Sequence, residues 1–169
     1  LKKIILTGPE SSGKTTLAND LAQYYKVEYV HEYAREYLSE IGKSYSFEDV
    51  IRIAEGQHER ERLASLEDRS IIICDTDLLT IKIWLEYKYG RSDEWVDSVI
   101  SKYKMRHYLL CTPDMPWEDD EMRENPGDRQ ELFNIFKENL EFYNLDYKIV
   151  EGPEKYRERE AISMIESSF

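Results

Sequence analysis

The chain has 169 residues, enough for one domain with a proper core and too few for two ordinary ones, so a single compact unit over 1–169 is expected. Its 35 acidic side chains against 23 basic ones give a net charge of −12, which leaves no basic footprint for nucleic acid and argues against DNA or RNA as a partner. No apolar segment approaches the roughly 20 residues that span a bilayer, and the first residues lead into a strand-like pattern, so no membrane partner is expected and a cytoplasmic location follows.

In chain order, Ile4-Ile5-Leu6 reads as a short buried strand, and Thr16 to Tyr25 as a helix with Leu17, Leu21 and Tyr24 on one face. Between them stands Gly8-Pro9-Glu10-Ser11-Ser12-Gly13-Lys14-Thr15, which fulfils G-x-x-x-x-G-K-[ST] in the strand–loop–helix setting that the motif requires. Such a loop aims a row of backbone N–H groups at phosphate while the helix N-terminus adds partial positive charge. Gly8 and Gly13 supply backbone freedom, the Lys14 ammonium can reach β- and γ-phosphate oxygens, and the Thr15 hydroxyl can ligate Mg²⁺. On an acidic protein, this pattern predicts a small phosphorylated ligand.

Val27 to His31 reads as a second strand, with Glu32 at its exit opening a helix that stops near Gly42. Open α/β sheets hold ligands outside the carboxyl ends of their strands, so Glu32 is placed beside the phosphate loop, against the plainer reading of a solvated helix-start carboxylate. Ser46 has the form of an N-cap, with Asp49 three residues on, and its helix is expected to run to Asp68. The inward stripe Phe47, Val50, Ala54 continues to Gln57, an amide that must bond either a ligand or backbone, while His58 to Arg69 reads as a solvated end.

Ile71-Ile72-Ile73-Cys74-Asp75 has the form of a buried parallel strand ending in a Mg²⁺-associated acid, and Thr76-Asp77 adds a second acid there. Leu78 to Tyr89 is a helix with Leu78, Ile81, Trp84, Leu85 and Tyr87 inward, Trp84 being read as core. A helix over Asp93 to Lys102 and a strand over His107 to Cys111 follow; Cys74 and Cys111 read as small buried residues and not a disulfide. Residues 114–129 show no apolar periodicity but carry Arg123 and Arg129, the pattern of a lid that brings guanidinium groups over phosphates. A helix through Leu132, Phe136 and Leu140, a strand over Tyr147 to Val150 and a closing helix through Ala161 and Ile165 complete a three-layer α/β sandwich.

Taken together, Gly8 through Thr15 with Thr16, Glu32-Tyr33-Ala34-Arg35, Gly56-Gln57, Asp75-Thr76-Asp77 and Trp117-Glu118 with Arg123 resemble the ribosylnicotinamide kinase domain of NadR-type proteins, a family of P-loop kinases. The resemblance implies the α/β/α P-loop NTPase fold with a five-stranded parallel sheet in the order 2-3-1-4-5. It implies ATP and Mg²⁺ as cofactors, and transfer of the γ-phosphate to the 5′-hydroxyl of nicotinamide riboside for NAD synthesis. The loop residues Glu10, Ser11, Ser12 and Thr16 would share in holding the nucleotide with Gly8, Gly13, Lys14 and Thr15. Thr15 and Asp75 would hold the metal, and Arg123 and Arg129 would close over the transferring group. Glu32 would act on the hydroxyl, with Asp77 or Asp75 as rivals. Tyr33, Arg35, Gln57, Asp77 and Trp117 would meet the acceptor, whose pyridinium charge favours aromatic faces such as Trp117, Tyr33 and Tyr37. One departure is in the lid: the family tends to place a glycine after the aspartate preceding Arg123, and here Asp120 is followed by Glu121. A kinase for another nucleoside or nucleotide, and an ATPase or switch module, stand as the alternative readings, and the oligomeric state is open.

Lys14→Ala is expected to abolish phosphoryl transfer and leave the unfolding midpoint near that of the parent, since the ammonium acts on phosphate charge and is no part of the core. Transfer assays beside a denaturant titration check both halves.

Overall fold

Alternation within the strands divides the molecule into layers. The computed structural model describes residues 1–42, 44–120 and 123–168. Strands β1 (Lys2–Thr7), β2 (Ile71–Asp75), β3 (Arg106–Cys111) and β4 (Asp146–Val150) form one parallel sheet in the order β2-β1-β3-β4. Ile5, Ile72, Cys74, Tyr108 and Leu110 point to one face, and Ile4, Leu6, Ile71, Ile73 and Leu109 to the other, as the two-residue period requires. Helices α1 (Lys14–Tyr25) and α7 (Glu154–Ser168) cover the second face. The first face is covered by α2 (Tyr33–Ile41), α3 (Phe47–Ala64), α4 (Leu78–Tyr89), α5 (Glu94–Ile100) and α6 (Arg129–Phe142).

The fifth strand expected over Val27 to His31 is reduced to a single bridge, Val30 to Cys74, in which Val30 N–H donates to Ile73 O at 2.8 Å and Asp75 N–H to Val30 O at 2.9 Å. The segment lies where the order 2-3-1-4-5 puts it, on the outer edge of β2. Only Val30 among these residues is buried, and Glu28 and His31 are exposed, so little apolar contact is available to hold a longer ladder there.

The helices follow their sequence signals with local corrections. α1 begins at Lys14, and Ala18 and Ala22 take inward positions while Tyr24 faces out toward Glu166. The capping box of α3 is present: Asp49 N–H donates to Ser46 Oγ at 3.2 Å, and Ser46 N–H donates to the Asp49 carboxylate at 2.8 Å. That helix ends at Ala64 instead of Asp68, and Glu61, read as part of a solvated end, is buried. Cys74 and Cys111 are free and buried. Residues 112–120 and 123–128 form no helix or strand; Glu121 lies outside the described residues. Among the described residues no helix is long and apolar enough to cross a membrane.

α2 is seated on α3 through Tyr33, whose Cε1 would lie 2.1 Å from a Cβ at Gly56. Gly56→Ala should therefore lower stability by about 1–3 kcal/mol, measured by denaturant unfolding, and by distinctly less in a Tyr33→Leu background.

Candidate active site

Register assembles the site. β1 pairs with β2 so that Leu6 lies opposite Asp75, and Thr76 N–H donates to Leu6 O at 3.0 Å, which brings the loop after β1 beside the acid that ends β2. Gly8 has φ +134°, and a Cβ there would lie 2.6 Å from Cys111 O, so only glycine lets the loop pass the end of β3. Within the loop, Ser12 Oγ and Lys14 Nζ each donate to Pro9 O at 2.7 Å. Thr15 Oγ1 donates to Asp75 Oδ2 at 2.6 Å, while Asp75 Oδ1 is buried and has no partner among the described residues. This pair of hard oxygen donors, one with an unused lone-pair site, suits Mg²⁺, which takes few protein oxygens beside phosphate and water. No group of three or more His, Cys, Asp or Glu that could hold a metal occurs among the described residues.

Glu32 occupies the N-cap position of α2 but makes no side-chain cap, and its carboxylate, 29% exposed, lies 3.4 Å from Arg35 Nε. Burial, and then the charge of Asp75, push its pKa up against the opposing pull of Lys14 and Arg35. Arg35 also donates to Asp120 at 2.9 Å. Glu118, Glu124 and Asn125 bond the loop at two adjacent residues. The Glu10 carboxylate accepts from Glu124 N–H at 3.2 Å and Asn125 N–H at 3.0 Å, and Ser11 Oγ accepts from Glu118 N–H at 2.9 Å. Arg123 donates to Ser11 Oγ at 3.4 Å and to the Glu118 carbonyl, and Arg129 to Ser11 O at 3.2 Å and Met115 O at 2.8 Å.

A cavity of about 890 Å³ is lined by the whole loop, Thr16, Glu32, Arg35 and Arg123, and continues to Tyr45, Trp84, Tyr87 and Lys88. Tyr45 and Trp84 meet edge to face at 5.1 Å; the Tyr45 hydroxyl accepts from Trp84 Nε1 at 3.1 Å and from Lys88 Nζ at 2.6 Å, and donates to Glu124 at 3.0 Å. Asp75 opens onto a second cavity of about 620 Å³ that shares Thr15, Glu32 and Arg35 with the first.

The remaining expected acceptor residues are not among those lining the main cavity. Trp117 donates to Asp119 at 2.7 Å and has the Arg129 guanidinium 5.6 Å from its ring centre. Tyr33 packs at Gly56 beneath Arg60, and Tyr37 donates to Asp49 at 2.9 Å. Gln57 Oε1 accepts the Tyr33 N–H at 2.7 Å, so the backbone reading of this buried amide is realised; its Nε2 has no partner among the described residues. Asp77 is fully buried and committed: it accepts from Leu79 N–H at 3.0 Å, Tyr108 OH at 2.6 Å and Arg106 Nη1 at 3.3 Å. Arg106 goes on to Glu61 at 2.8 Å, and Glu61 accepts from Lys3 at 3.0 Å. Asp77 is thus the N-cap of α4 in a core ionic network, a correction to its place at the acceptor, and a fully buried carboxylate is no base for the hydroxyl. Burial pushes its pKa up to about 6, with Arg106 opposing.

Spacing could not have found the aromatic wall. Trp84 belongs to the first eight residues of α4, which are buried almost all round, so that an inward stripe and a cavity-facing ring look alike, and Tyr45 lies outside any helix or strand.

Residues 3–159 match the family model described as an AAA domain. The chain belongs to that family. Among curated proteins it is similar to the trifunctional NAD biosynthesis/regulator protein NadR of Escherichia coli K12, with 30% identity over 89% of this chain and 38% of the relative. The NadR of Salmonella typhimurium LT2 is 28% identical over 87% of this chain and 37% of the relative, so the chain spans little more than a third of either. Among solved structures, NadR in complex with NR superposes with a TM-score of 0.84 at 22% identity, covering 97% of this chain and 50% of that one. NadR in complex with NAD and AMP-PNP superposes with a TM-score of 0.78 at 22% identity, covering 97% of this chain and 48% of that one. These likenesses agree in fold: an α/β P-loop architecture, here with four parallel strands among the described residues.

Two neighbouring acids should separate by assay. Asp75→Asn should cut turnover by on the order of 100-fold or more with little change in unfolding. For Asp77, the folded state holds the carboxyl proton more tightly than the unfolded chain. Wild-type stability relative to Asp77→Asn should therefore fall as pH rises from 3.8 to about 6 and level above it. Denaturant titrations across that window read the difference.

Proposed function

We propose that this chain is an ATP-dependent small-molecule kinase that phosphorylates the 5′-hydroxyl of nicotinamide riboside. The observation that carries the reading is one continuous cavity lined by the phosphate-binding loop, by Arg123 and by the rings of Tyr45, Trp84 and Tyr87. Similarity to NadR, one structure of which holds NR and another AMP-PNP, supports the choice of acceptor and donor.

In this reading the N–H groups of residues 8–15 and the Lys14 ammonium hold the triphosphate. Thr15 and Asp75 would hold Mg²⁺, which supplies charge neutralisation at the β- and γ-phosphate oxygens. Arg123 and Arg129, already gathered at Ser11, offset charge on the transferring group. Glu32 takes the proton of the attacking hydroxyl, and its raised pKa makes it the stronger base for that step. The hydroxyl oxygen bonds to the γ-phosphorus as the bond to the β,γ-bridging oxygen breaks, leaving ADP. Trp84, with Tyr45 and Tyr87 beside it, presents ring surface to a planar cationic base, and Glu124 balances the nearby charge of Lys88.

The test is ATP consumption against a panel of nucleosides, in which nicotinamide riboside should be the preferred acceptor. Trp84→Leu should raise the KM for the riboside by about 2- to 30-fold and leave the KM for ATP within error, the span of a cation–π contact. A loss of equal size with a neutral carbon isostere of the pyridinium ring would show that Trp84 acts by shape alone.

A further inference from the structure

We propose that Arg157 of α7 is the positioning residue that presets the phosphate loop, acting on nucleotide from behind the loop without being a ligand; the inference rests on the nucleotide-binding reading above. Its side chain is 1% exposed, and it is not among the residues lining either cavity. Nε donates to Gly152 O at 2.8 Å, Nη1 to Ser12 O at 2.5 Å, and Nη2 to Thr112 O at 3.0 Å, Thr112 Oγ1 at 3.2 Å and the Asp114 carboxylate. Asp114 in turn accepts Gly152 N–H at 2.7 Å. A single guanidinium thus ties together the turns that follow β1, β3 and β4, which include the phosphate loop and the root of the lid.

The bond to Ser12 O gives the arrangement a function. In a trans peptide the carbonyl and the next N–H point in opposite directions, so holding Ser12 O back against Arg157 turns the Gly13 N–H away from α7 and toward the cavity that Gly13 lines. Gly13 is also the N-cap of α1, with φ +79°, so the same contact fixes the origin of the helix whose positive end faces the phosphates. An ammonium cannot replace this fork, because it is a point charge on a flexible stem and cannot reach several carbonyls in fixed directions. The role needs the planar shape of arginine as much as its charge. A buried cation carries a desolvation cost that an apolar side chain would avoid, in keeping with a residue retained for where it aims the loops.

Calorimetric titration with ADP and ligand-observed NMR with adenosine, on wild type, Arg157→Lys and Arg157→Gln, tests the proposal. Both variants should weaken ADP by about 10-fold or more, as expected for lost hydrogen bonds to a charged donor, while adenosine affinity changes less than about 2-fold. Asp114→Asn, which keeps the shape and removes the counter-charge, should weaken ADP by a smaller factor even if the Arg157 variants do not fold. Wild-type ADP affinity in the lysine variant would overturn the fork argument, and equal losses of ADP and adenosine would show general loosening of the site. ADP affinity in Asp114→Asn equal to wild type would likewise count against the clamp. A wild-type chain that binds no ADP would remove the nucleotide reading itself, whereas a binding wild type with unaffected variants removes only the role of Arg157.

Discussion

Everything in the site hangs on the central position of β1 between β2 and β3. Parallel pairing puts the carboxyl ends of all the strands on one side, and the register Leu6 opposite Asp75 fixes which residues meet there. A slip of one residue would carry the loop away from the acid, so the register that pairs β1 with β2 also sets the Thr15 to Asp75 contact. Core packing and the meeting of these two side chains are here two consequences of the same pairing.

Asp75 and Asp77 show how close two unlike environments can lie. Between them Thr76 takes φ +67°, and the two side chains leave the strand end toward different places: Asp75 to Thr15, Asp77 to Arg106, Tyr108 and the first turn of α4. Removing charges from water is costly, and the chain answers with Lys3, Glu61, Arg106 and Asp77 arranged in alternating sign, each bonded to the next. That network lies beneath the strand end that holds Asp75 and anchors the start of α4, which carries Trp84 to the cavity wall.

Where a feature depends on local order it was legible in the sequence, and where it depends on distant partners it was not. The phosphate loop, the Ser46 cap, the span of α4 and the irregular arginine-bearing segment each follow from neighbouring residues. The segment Val27–His31 has strand-like composition but lies at a sheet edge with one inward side chain, and composition does not register how little it has to pair with. Sequence places Asp77 at the acceptor and Glu61 in a solvated helix end because their partners, Arg106 and Lys3, come from other strands. Arg157 was hidden for the same reason: in the run Glu-Lys-Tyr-Arg-Glu-Arg-Glu nothing local distinguishes it from Arg159.

The arginine-bearing segment is fastened to the rest of the molecule through Glu118, Glu124 and Asn125, and Glu124 serves two moorings at once: its N–H donates to Glu10 of the loop after β1, and its carboxylate meets Tyr45 and Lys88. Each of these hydrogen bonds is partly exposed, so each exchanges readily for water and contributes little alone. Because Glu124 carries both moorings, the segment's hold on the loop and its hold on Tyr45 are made and lost together.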